Sequence, residues 1–376
     1  MIAKNTVSSL NIYMKILITG GHLSPALAVI EEIGNQADLV FVGRKYILDQ
    51  DKNLSLEYQE ITRRGLTFYH LQTGRFTRLL NLRLFLNLFK IPLGLLQAIV
   101  ILNKEKPDLI LSFGGYIGFP ICLIAYILGI PIFIHEQTIY PGLVNRLTGY
   151  LAQNIFIAFA ESKKYFPSAK VILSGNPVRK AVLRPSKKPF NMQKSLPVLY
   201  FTGGSLGSHS LNQHLETILP ELLTKYIVIH QAGRVSEYND YQRLLLKRSK
   251  LNKILKARYY LRDHFFSDEL GYIYSFTDLI VSRSGANTLF ELIAWKKPAI
   301  LIPLPWSGGQ EQLKQAQLIQ KAGVAEIFQQ TQATKILAKL IAKVIAQLNF
   351  YQKNFKNVEL LYQQNAAKTI VQKILA

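Results

Sequence analysis

The sequence predicts an α/β protein built from two Rossmann-like, doubly wound domains that face a cleft. The chain has 376 residues, which is long for one hydrophobic core and suits two domains. Short apolar runs alternate with segments of helical spacing, as expected for strands that are buried on both faces of a parallel sheet. Each half opens with such a strand followed by two glycines, at Gly20-Gly21 and at Gly203-Gly204. This repeated opening indicates two sheets of the same type.

The composition limits the partners and the environment of the protein. Its formal net charge of +22 predicts attraction to polyanions such as phosphorylated substrates, anionic lipid or nucleic acid. A generally lysine-rich proteome is the alternative explanation of this excess. The single cysteine, Cys122, allows no disulfide within the chain and fits a reducing compartment. Because Cys122 lies in an apolar run, we expect it to be a small buried residue.

The order of motifs predicts the domain boundaries. We expect a disordered tail or a mis-assigned start, a first domain, a linker, a second domain, and a C-terminal helix that packs back on the first domain. In that order, these segments are residues 1–13, 14–184, 185–195, 196–350 and 351–376. The polar first segment lacks the hydrophobic core of a secretory signal.

An uncharged segment, residues 109–134, has the length of a transmembrane helix. Glycines and prolines interrupt it repeatedly, so we interpret it as a strand, a Gly-Gly turn, a buried helix and a second strand. Further strands are expected at Lys15–Ile18 and Leu39–Val42, with a helix that begins at Pro25. We therefore interpret the first half of the chain as a sheet with connecting helices rather than as a membrane anchor.

A strand–loop–helix–strand unit lies near the end of the second domain. Its strands are expected at Asp278–Ser282 and Ala299–Ile302, and its helix at Thr288–Trp295. The loop lies at the carboxyl end of a parallel strand, where open α/β sheets bind ligands. The helix N-terminus, supported by Arg283, suits an anionic group. Glu291, one turn further on, could hold a pair of sugar hydroxyls.

The second glycine-rich turn, Thr202 to Ser208, is a candidate phosphate cradle. Its small residues let backbone N–H groups point at phosphate oxygens, although an ordinary tight turn would have the same composition. Neither glycine-rich turn has the G-x-G-x-x-G spacing of a dinucleotide site, so a dehydrogenase is not favoured.

Polar residues follow two strands of the first domain. His22 follows Gly20-Gly21, where an exposed imidazole could remove a proton from a hydroxyl, although a lone histidine is usually structural. A second polar cluster, His135-Glu136-Gln137, also follows a strand and could converge with it. No Cys/His spacing and no aspartate pair predicts a metal site.

Residues 63–106 are basic, aromatic and leucine-rich. Cations interrupt the apolar run too often for a membrane span, so the segment is typical of an interfacial helix on anionic lipid. A core helix whose cations reach the solvent is the alternative. The side chains expected to meet the membrane are Arg75, Arg78, Leu82, Phe85 and Phe89.

Taken together, these motifs resemble the MurG family. The resemblance rests on TGGHLSPALAV, SFGGYIGFP, IHEQTIYPGLVNR, SGNPVR, FTGGSLGSHSLN, HQAG and SRSGANTLFEL with PAILIPLP, which keep the family order from Met14 onward. It implies a GT-B glycosyltransferase that needs neither a metal nor a cofactor. The implied reaction transfers N-acetylglucosamine (GlcNAc) from UDP-GlcNAc, with inversion, to undecaprenyl-pyrophosphoryl-MurNAc-pentapeptide. The implied location is the cytoplasmic face of the plasma membrane, with no specific nucleic-acid partner.

The resemblance also implies that residues 14–184 bind the acceptor and the membrane and that residues 196–350 bind the donor. It further implies roles for individual residues. His22 is the first candidate for the catalytic base and Glu136 the second. The acceptor would meet Tyr116, His135 and Gln137. The residues expected to bind the donor are Thr19, Gly20, Gly21, Thr138, Arg179, Gly204, Ser205, Arg283, Glu291, Gln310 and Gln312. Gln315 could face the GlcNAc beside Gln312.

The chain departs from the family pattern at several positions. The first glycine loop is short, Thr138 replaces an asparagine, Gly118-Phe119 replaces Ser-Gly, and residues 308–312 differ from the usual polar run. Three alternatives therefore stay open: another GT-B glycosyltransferase, a UDP-sugar epimerase, and a non-catalytic basic protein that binds nucleotide sugars or nucleic acid. Dependence on a polyprenyl acceptor would separate the enzymes, and a salt-dependent affinity for DNA without sugar transfer would indicate the last.

Overall fold

The computed structural model describes residues 14–46, 53–74, 82–204, 206–234 and 237–376, with the backbone alone for residues 82–89. The strands are β1 (Lys15–Thr19), β2 (Asp38–Gly43), β3 (Thr67–His70), β4 (Leu109–Ser112), β5 (Ile132–Glu136), β6 (Asn154–Ile157), β7 (Val171–Leu173), β8 (Val198–Thr202), β9 (Ile227–Gln231), β10 (Tyr259–Arg262), β11 (Leu279–Ser282), β12 (Ala299–Leu301) and β13 (Ala325–Ile327).

Helices connect most of these strands. The α-helices are α1 (Leu23–Ile33), α2 (Leu56–Arg63), α3 (Leu82–Glu105), α4 (Gly115–Ile127), α5 (Leu143–Leu151), α6 (Lys180–Leu183), α7 (His209–Lys225), α8 (Asp240–Ser249), α9 (Lys253–Ala257), α10 (Ser267–Phe276), α11 (Ala286–Ala294), α12 (Glu311–Lys321), α13 (Thr334–Ala346), α14 (Leu348–Lys353) and α15 (Ala366–Ile374). Short 3-10 helices span Ala160–Tyr165, Ser168–Lys170, Gly308–Gln310, Asn354–Asn357 and Glu359–Leu361.

The strands form two sheets with the same doubly wound order. The first sheet has seven strands in the order β3-β2-β1-β4-β5-β6-β7, and the second has six in the order β10-β9-β8-β11-β12-β13. All five pairings of the second sheet are parallel. In each sheet the order reverses beside the first strand, β1 or β8, and open α/β sheets bind ligands outside the carboxyl ends of the strands at such a point. The α/β prediction with two Rossmann-like sheets is confirmed.

The second sheet shows why its strands appear as continuous apolar runs. Leu199 and Phe201 of β8 enter one hydrophobic core, whereas Val198 and Tyr200 enter the core on the opposite face. All four side chains are at most 1% exposed. Because both faces of the sheet are covered, neither face of the strand carries the polar residues that would produce an alternating pattern.

Several element boundaries differ from those expected. Helix α1 begins at Leu23, two residues earlier than predicted, so Ser24 and Pro25 lie within its first turn. Likewise, α11 begins at Ala286, close behind Gly285. The segment 109–134 divides into β4, α4 and β5, as predicted. Cys122 is fully buried in α4, and burial raises the pKa of its thiol to about 12, as suits the predicted structural role.

Helix α2 and strands β3 and β13 were not predicted from the sequence. The tail after α13 contains two short α-helices and two 3-10 helices rather than one continuous helix. Within the described residues, no helix combines the length and the apolar character that crossing a bilayer requires.

The contacts divide the chain into two compact units. The first unit comprises Met1–Ala26, Ile30–His135 and Leu143–Ile155. The second comprises Leu27–Val29, Glu136–Gly142 and Phe156–Ala376. The functions assigned to the separate domains stay a prediction.

Candidate active site

The turn after β1 packs directly on the turn after β4. A Cβ atom at Gly21 would stand 2.6 Å from the carbonyl oxygen of Gly114 and 2.8 Å from the Cα of Gly115. Gly114 and Gly115 have φ angles of 80° and 79°, in the left-handed region that favours glycine. Thr19 is fully buried beneath this turn, and its hydroxyl has no hydrogen-bond partner among the described residues. These glycines bring the two turns together at the point where the strand order reverses.

His22 immediately precedes α1, where the sequence predicts the catalytic base. Its Nδ1 lies 3.4 Å from the carbonyl oxygen of Phe113. Because a carbonyl oxygen can only accept, this contact selects the tautomer that carries its proton on Nδ1. The lone pair is then on Nε2, which is the atom able to take a proton from a substrate hydroxyl.

Tyr116 and Arg44 lie at the same edge of the first sheet. Tyr116 is in the first turn of α4 and is partly exposed. The guanidinium carbon of Arg44, the residue after β2, lies 6.0 Å from the centre of the Tyr116 ring. This edge of the sheet therefore carries a phenol and a cation as well as the His22 imidazole.

The polar cluster at the end of β5 is buried. His135 is fully buried with its ring 5.6 Å from that of Phe113, and Gln137 is 1% exposed. Oε1 of Glu136 accepts hydrogen bonds from the backbone N–H (2.9 Å) and the hydroxyl (2.6 Å) of Thr138. Glu136 and Thr138 are thus bonded to one another, and the roles of His22 and Glu136 as first and second candidate for the base stay predictions.

Sequence reasoning missed a carboxyl group beside the first glycine turn. Glu57, in the first turn of α2, accepts a hydrogen bond from the backbone N–H of Arg44 (3.0 Å) through Oε2. Its Oε1 lies against Gly20. Burial raises the pKa of Glu57 to about 7. A glutamate in the first turn of a helix that follows a strand is a common capping feature, so the sequence offered little sign of this position.

The second glycine-rich turn, after β8, is fixed by Gln231. The Gln231 side-chain amide donates to the hydroxyl of Thr202 (3.2 Å) and to the carbonyl of Gly204 (2.8 Å). A Cβ atom at Gly207 would stand 2.7 Å from the Cα of Gly233, so this turn packs closely on the residue that ends the HQAG motif. The turn is therefore held from the neighbouring strand, β9.

Arg283 lies beside this turn and donates only to neutral groups among the described residues. It donates to the hydroxyls of Ser208 (2.7 Å) and Ser210 (2.9 Å), to Oε1 of Gln330 (2.8 Å) and to the carbonyl of Ile302 (3.1 Å). Burial lowers its pKa to about 10, so the guanidinium stays charged at neutral pH. A half-buried cation that meets no carboxylate in the described part of the chain, next to the N-terminus of α7, favours the binding of an anion.

Arg179 and Glu291 form a buried ion pair at 2.9 Å. The second carboxylate oxygen of Glu291 accepts a hydrogen bond from the Tyr274 hydroxyl (2.7 Å), and Arg179 also donates to Ser267 (2.7 Å). Burial, followed by the nearby charge of Glu291, raises the pKa of Tyr274 well above its usual value, so the phenol keeps its proton. The orientation of the Glu291 carboxylate is therefore fixed by two donors.

The glutamines predicted to face the donor sugar occupy different environments. Gln310 is exposed and has a left-handed φ of 55°. Oε1 of Gln312 accepts from the backbone N–H of Leu304 (3.1 Å). Gln315 is 1% exposed, and neither atom of its amide has a partner among the described residues. Burial also raises the pKa of Glu311, at the start of α12, to about 7.

Some predicted residues cannot be placed. Arg75, Arg78 and Ser205 lie outside the described residues. Only the backbone of Leu82, Phe85 and Phe89 is described, within α3. Their predicted roles stay predictions.

Comparisons with known proteins agree with these motifs. The family described as "Glycosyltransferase family 28 N-terminal domain" matches residues 18–157, and "Glycosyltransferase family 28 C-terminal domain" matches residues 198–374. A Bacillus cereus protein is 30% identical over 371 residues, which cover 96% of this chain and 99% of that protein. Its name is "UDP-N-acetylglucosamine--N-acetylmuramyl-(pentapeptide) pyrophosphoryl-undecaprenol N-acetylglucosamine transferase 2".

Two solved structures resemble the fold over nearly its whole length. MurG of Acinetobacter baumannii matches with a TM-score of 0.67 at 24% identity, covering 96% of this chain and 99% of that one. UDP-GlcNAc 2-epimerase of Neisseria meningitidis, solved with UDP-GlcNAc bound, matches with a TM-score of 0.65 at 19% identity, covering 96% and 100%. At these identities the likeness shows the GT-B fold alone. The family follows from the full-length relative, and the chain belongs to the MurG family of glycosyltransferases.

Proposed function

We propose that this enzyme transfers GlcNAc from UDP-GlcNAc to the 4-hydroxyl of MurNAc in undecaprenyl-pyrophosphoryl-MurNAc-pentapeptide, a step of peptidoglycan synthesis. The observation that carries the proposal is the Arg283 cluster at the N-terminus of α7. There a charged guanidinium and two serine hydroxyls lie beside a glycine turn, which suits the diphosphate of a nucleotide sugar. Relatives that match 96% and 88% of the chain are named for this transfer.

The leaving group is UDP, whose diphosphate gains negative charge as the bond to the sugar breaks. Arg283 and the dipole of α7 would stabilise that charge, so protein groups fill the role that a metal ion has elsewhere. Glu291 would accept hydrogen bonds from ribose hydroxyls. A carboxylate offers about four lone-pair positions, and Arg179 and Tyr274 each occupy one.

The acceptor hydroxyl must lose a proton when its oxygen attacks the anomeric carbon. We assign this proton to Nε2 of His22, because Nδ1 is directed at the carbonyl of Phe113. The oxygen forms the new glycosidic bond from the face opposite UDP, the bond to UDP breaks with its electron pair, and the configuration inverts. Glu136 would instead hold Thr138 in place.

Exposed apolar side chains support attachment to an anionic membrane surface. On α3, Leu96 and Val100 are 62% and 65% exposed, and on α5, Leu143 and Tyr150 are 63% and 67% exposed. Helix α4 packs against both α3 and α5, and Ile127 at its end is 68% exposed. With the net charge of +22, these three helices suit a surface that inserts shallowly among anionic headgroups.

Vesicle sedimentation tests the membrane surface with a matched control. Val100→Glu should reduce binding to vesicles that contain anionic lipid, because it places a charge within the apolar surface. Leu246→Glu should leave binding unchanged, since Leu246 is 66% exposed but lies on α8 in the second unit. Equal loss in both variants would contradict an apolar membrane surface on α3.

The transfer itself is tested with the purified enzyme, UDP-GlcNAc, a polyprenyl-pyrophosphoryl MurNAc-peptide and EDTA. We expect UDP release and formation of the disaccharide, and neither when the acceptor is omitted. Binding of UDP-GlcNAc without product would support the proposed donor site and refute the proposed acceptor. Conversion of UDP-GlcNAc to a 2-epimer would replace the proposed function with that of an epimerase.

A further inference from the structure

Glu57 is held in place by the way α2 begins. The Ser55 backbone N–H donates to the carbonyl of Lys45 (2.8 Å), and the Ser55 hydroxyl donates to the carbonyl of Arg44. The same hydroxyl oxygen caps the helix by accepting from the backbone N–H of Tyr58 (3.1 Å). The first turn of α2 is therefore attached to the end of β2, and Glu57 lies in that turn.

Two glycines make room for the Glu57 carboxyl group. Thr19 and Val42 are paired in register on β1 and β2, so Gly20 and Gly43 come next at the carboxyl ends of the two strands. A Cβ atom at Gly20 would stand 2.5 Å from Oε1 of Glu57, and one at Gly43 would stand 2.7 Å from its Cδ. A larger residue at either position would press on the Glu57 carboxyl group and on the ring of Phe41.

The Glu57 side chain is partly withdrawn from water, and its carboxyl group has few hydrogen bonds. Oε2 accepts from the backbone N–H of Arg44, and among the described residues Oε1 has no donor. The Arg44 backbone N–H and the nearby Arg44 charge both favour the carboxylate, but partial withdrawal from water outweighs them and raises the pKa of Glu57. A costly polar group at a ligand-binding edge is more readily explained by function than by stability.

The surroundings of Oε1 indicate which kind of ligand would donate a hydrogen bond to it. Oε1 lies against Gly20, two residues before His22. The backbone N–H of Arg44 donates to the same carboxyl group, and the Arg44 guanidinium lies near the Tyr116 ring. An anionic ligand group would be repelled by Glu57, whereas a hydroxyl would donate to it. We propose that Oε1 of Glu57 accepts a hydrogen bond from a hydroxyl of the acceptor sugar and orients that sugar toward His22. Glu57 can have this role only if the proposed function holds, because it requires a sugar acceptor.

Steady-state kinetics of the full-length enzyme test this role. Glu57→Gln keeps the shape of the side chain and an acceptor for the Arg44 N–H but removes the charge. We expect kcat/KM for the lipid-linked acceptor to fall about tenfold to a hundredfold, as for loss of a hydrogen bond to a charged group. The Kd for UDP-GlcNAc should change by less than about twofold, because the donor diphosphate is bound elsewhere.

Two further variants separate this role from a structural one. Gly43→Ala keeps the carboxylate but displaces it, and should reproduce the acceptor defect. Glu60→Gln alters another buried glutamate on α2, one that pairs with Arg64, and should leave kcat/KM for the acceptor near that of the unmodified enzyme.

Unchanged acceptor kinetics in Glu57→Gln would overturn the assignment of Glu57, as would an equal loss of UDP-GlcNAc affinity. Absence of product from the unmodified enzyme would instead refute the proposed function, and with it this role of Glu57.

Discussion

Replacing Glu57 with glutamine should make the protein more stable at pH 8 while changing its stability little at pH 4. Burial raises the pKa of Glu57 from 4.5 in the unfolded chain to about 7 in the folded protein. Below pH 4.5 both states carry the proton, and Glu57 contributes nothing. Between pH 4.5 and 7 the unfolded state ionises while the folded state retains its proton, so stability falls as pH rises. Above pH 7 both states are ionised and the full penalty remains.

The size of the effect follows from the two pKa values. At about 1.36 kcal/mol per pH unit, the interval from 4.5 to about 7 gives an upper limit of about 3 kcal/mol. Glu57 is partly exposed, so water screens some of the penalty and about 2 kcal/mol is a better expectation. Glutamine does not titrate, and its carbonyl oxygen can still accept from the Arg44 N–H. For a unit of this size the gain at pH 8 corresponds to about 4–8 °C in Tm.

Thermal unfolding at pH 5, 6, 7 and 8 measures this difference directly. The gap between Glu57→Gln and the unmodified chain should widen from pH 5 to pH 7 and then level off. Glu60→Gln is the control with the opposite sign, because it removes one partner of the Glu60–Arg64 ion pair and should destabilise the protein at pH 8. A difference for Glu57→Gln that does not vary with pH, or a loss of stability at pH 8, would refute a desolvated carboxyl group.

Three other variants test the remaining site residues. Arg179→Met leaves the buried carboxylate of Glu291 without its cation and should lower the free energy of unfolding in urea by about 3–5 kcal/mol. Arg234→Met, at a more exposed ion pair, should lower it by less than about 1 kcal/mol. Equal losses would contradict the difference in burial. His22→Ala should lower kcat about 10²–10⁴-fold with an unchanged Kd for UDP-GlcNAc, and a loss below tenfold would remove His22 as the base. Gln315→Leu removes a buried amide that has no partner among the described residues, so it should stabilise the free enzyme by about 1–3 kcal/mol and weaken UDP-GlcNAc binding. Destabilisation would mean that the amide is hydrogen-bonded.

The sequence was most informative where both faces of a strand are buried. The central strands β1, β4, β8 and β11 are uninterrupted apolar runs, and the glycines that follow β1, β4 and β8 marked the turns of the site. Strand β3 was missed because none of its residues is buried, which leaves a polar, aromatic pattern without an apolar run. Like β3, strand β13 lies at the edge of its sheet.

The candidate site was predictable where local motifs carry it and not where distant residues meet. His22 and Arg283 could be chosen because each follows a strand within a recognisable turn. The serine partners of Arg283, Ser208 and Ser210, could not be chosen, since nothing local joins a loop after β11 to the start of α7. Glu57 was missed for the same reason, because only the register of β1 and β2 shows that two glycines face its carboxyl group.

The two sheets place opposite charges beside equivalent glycine turns, and this difference bears on which substrate each unit binds. Behind the turn after β1 lies the Glu57 carboxyl group, and beside the turn after β8 lies the Arg283 guanidinium. Since strand order and turn position are the same in both sheets, the fold alone does not distinguish them. A diphosphate is stabilised by the cation and repelled by the carboxylate, whereas a sugar hydroxyl can donate to the carboxylate. The Arg283 cation therefore suits the nucleotide diphosphate in the second unit, and the Glu57 carboxyl group suits a sugar hydroxyl in the first, where the Arg44 guanidinium also lies.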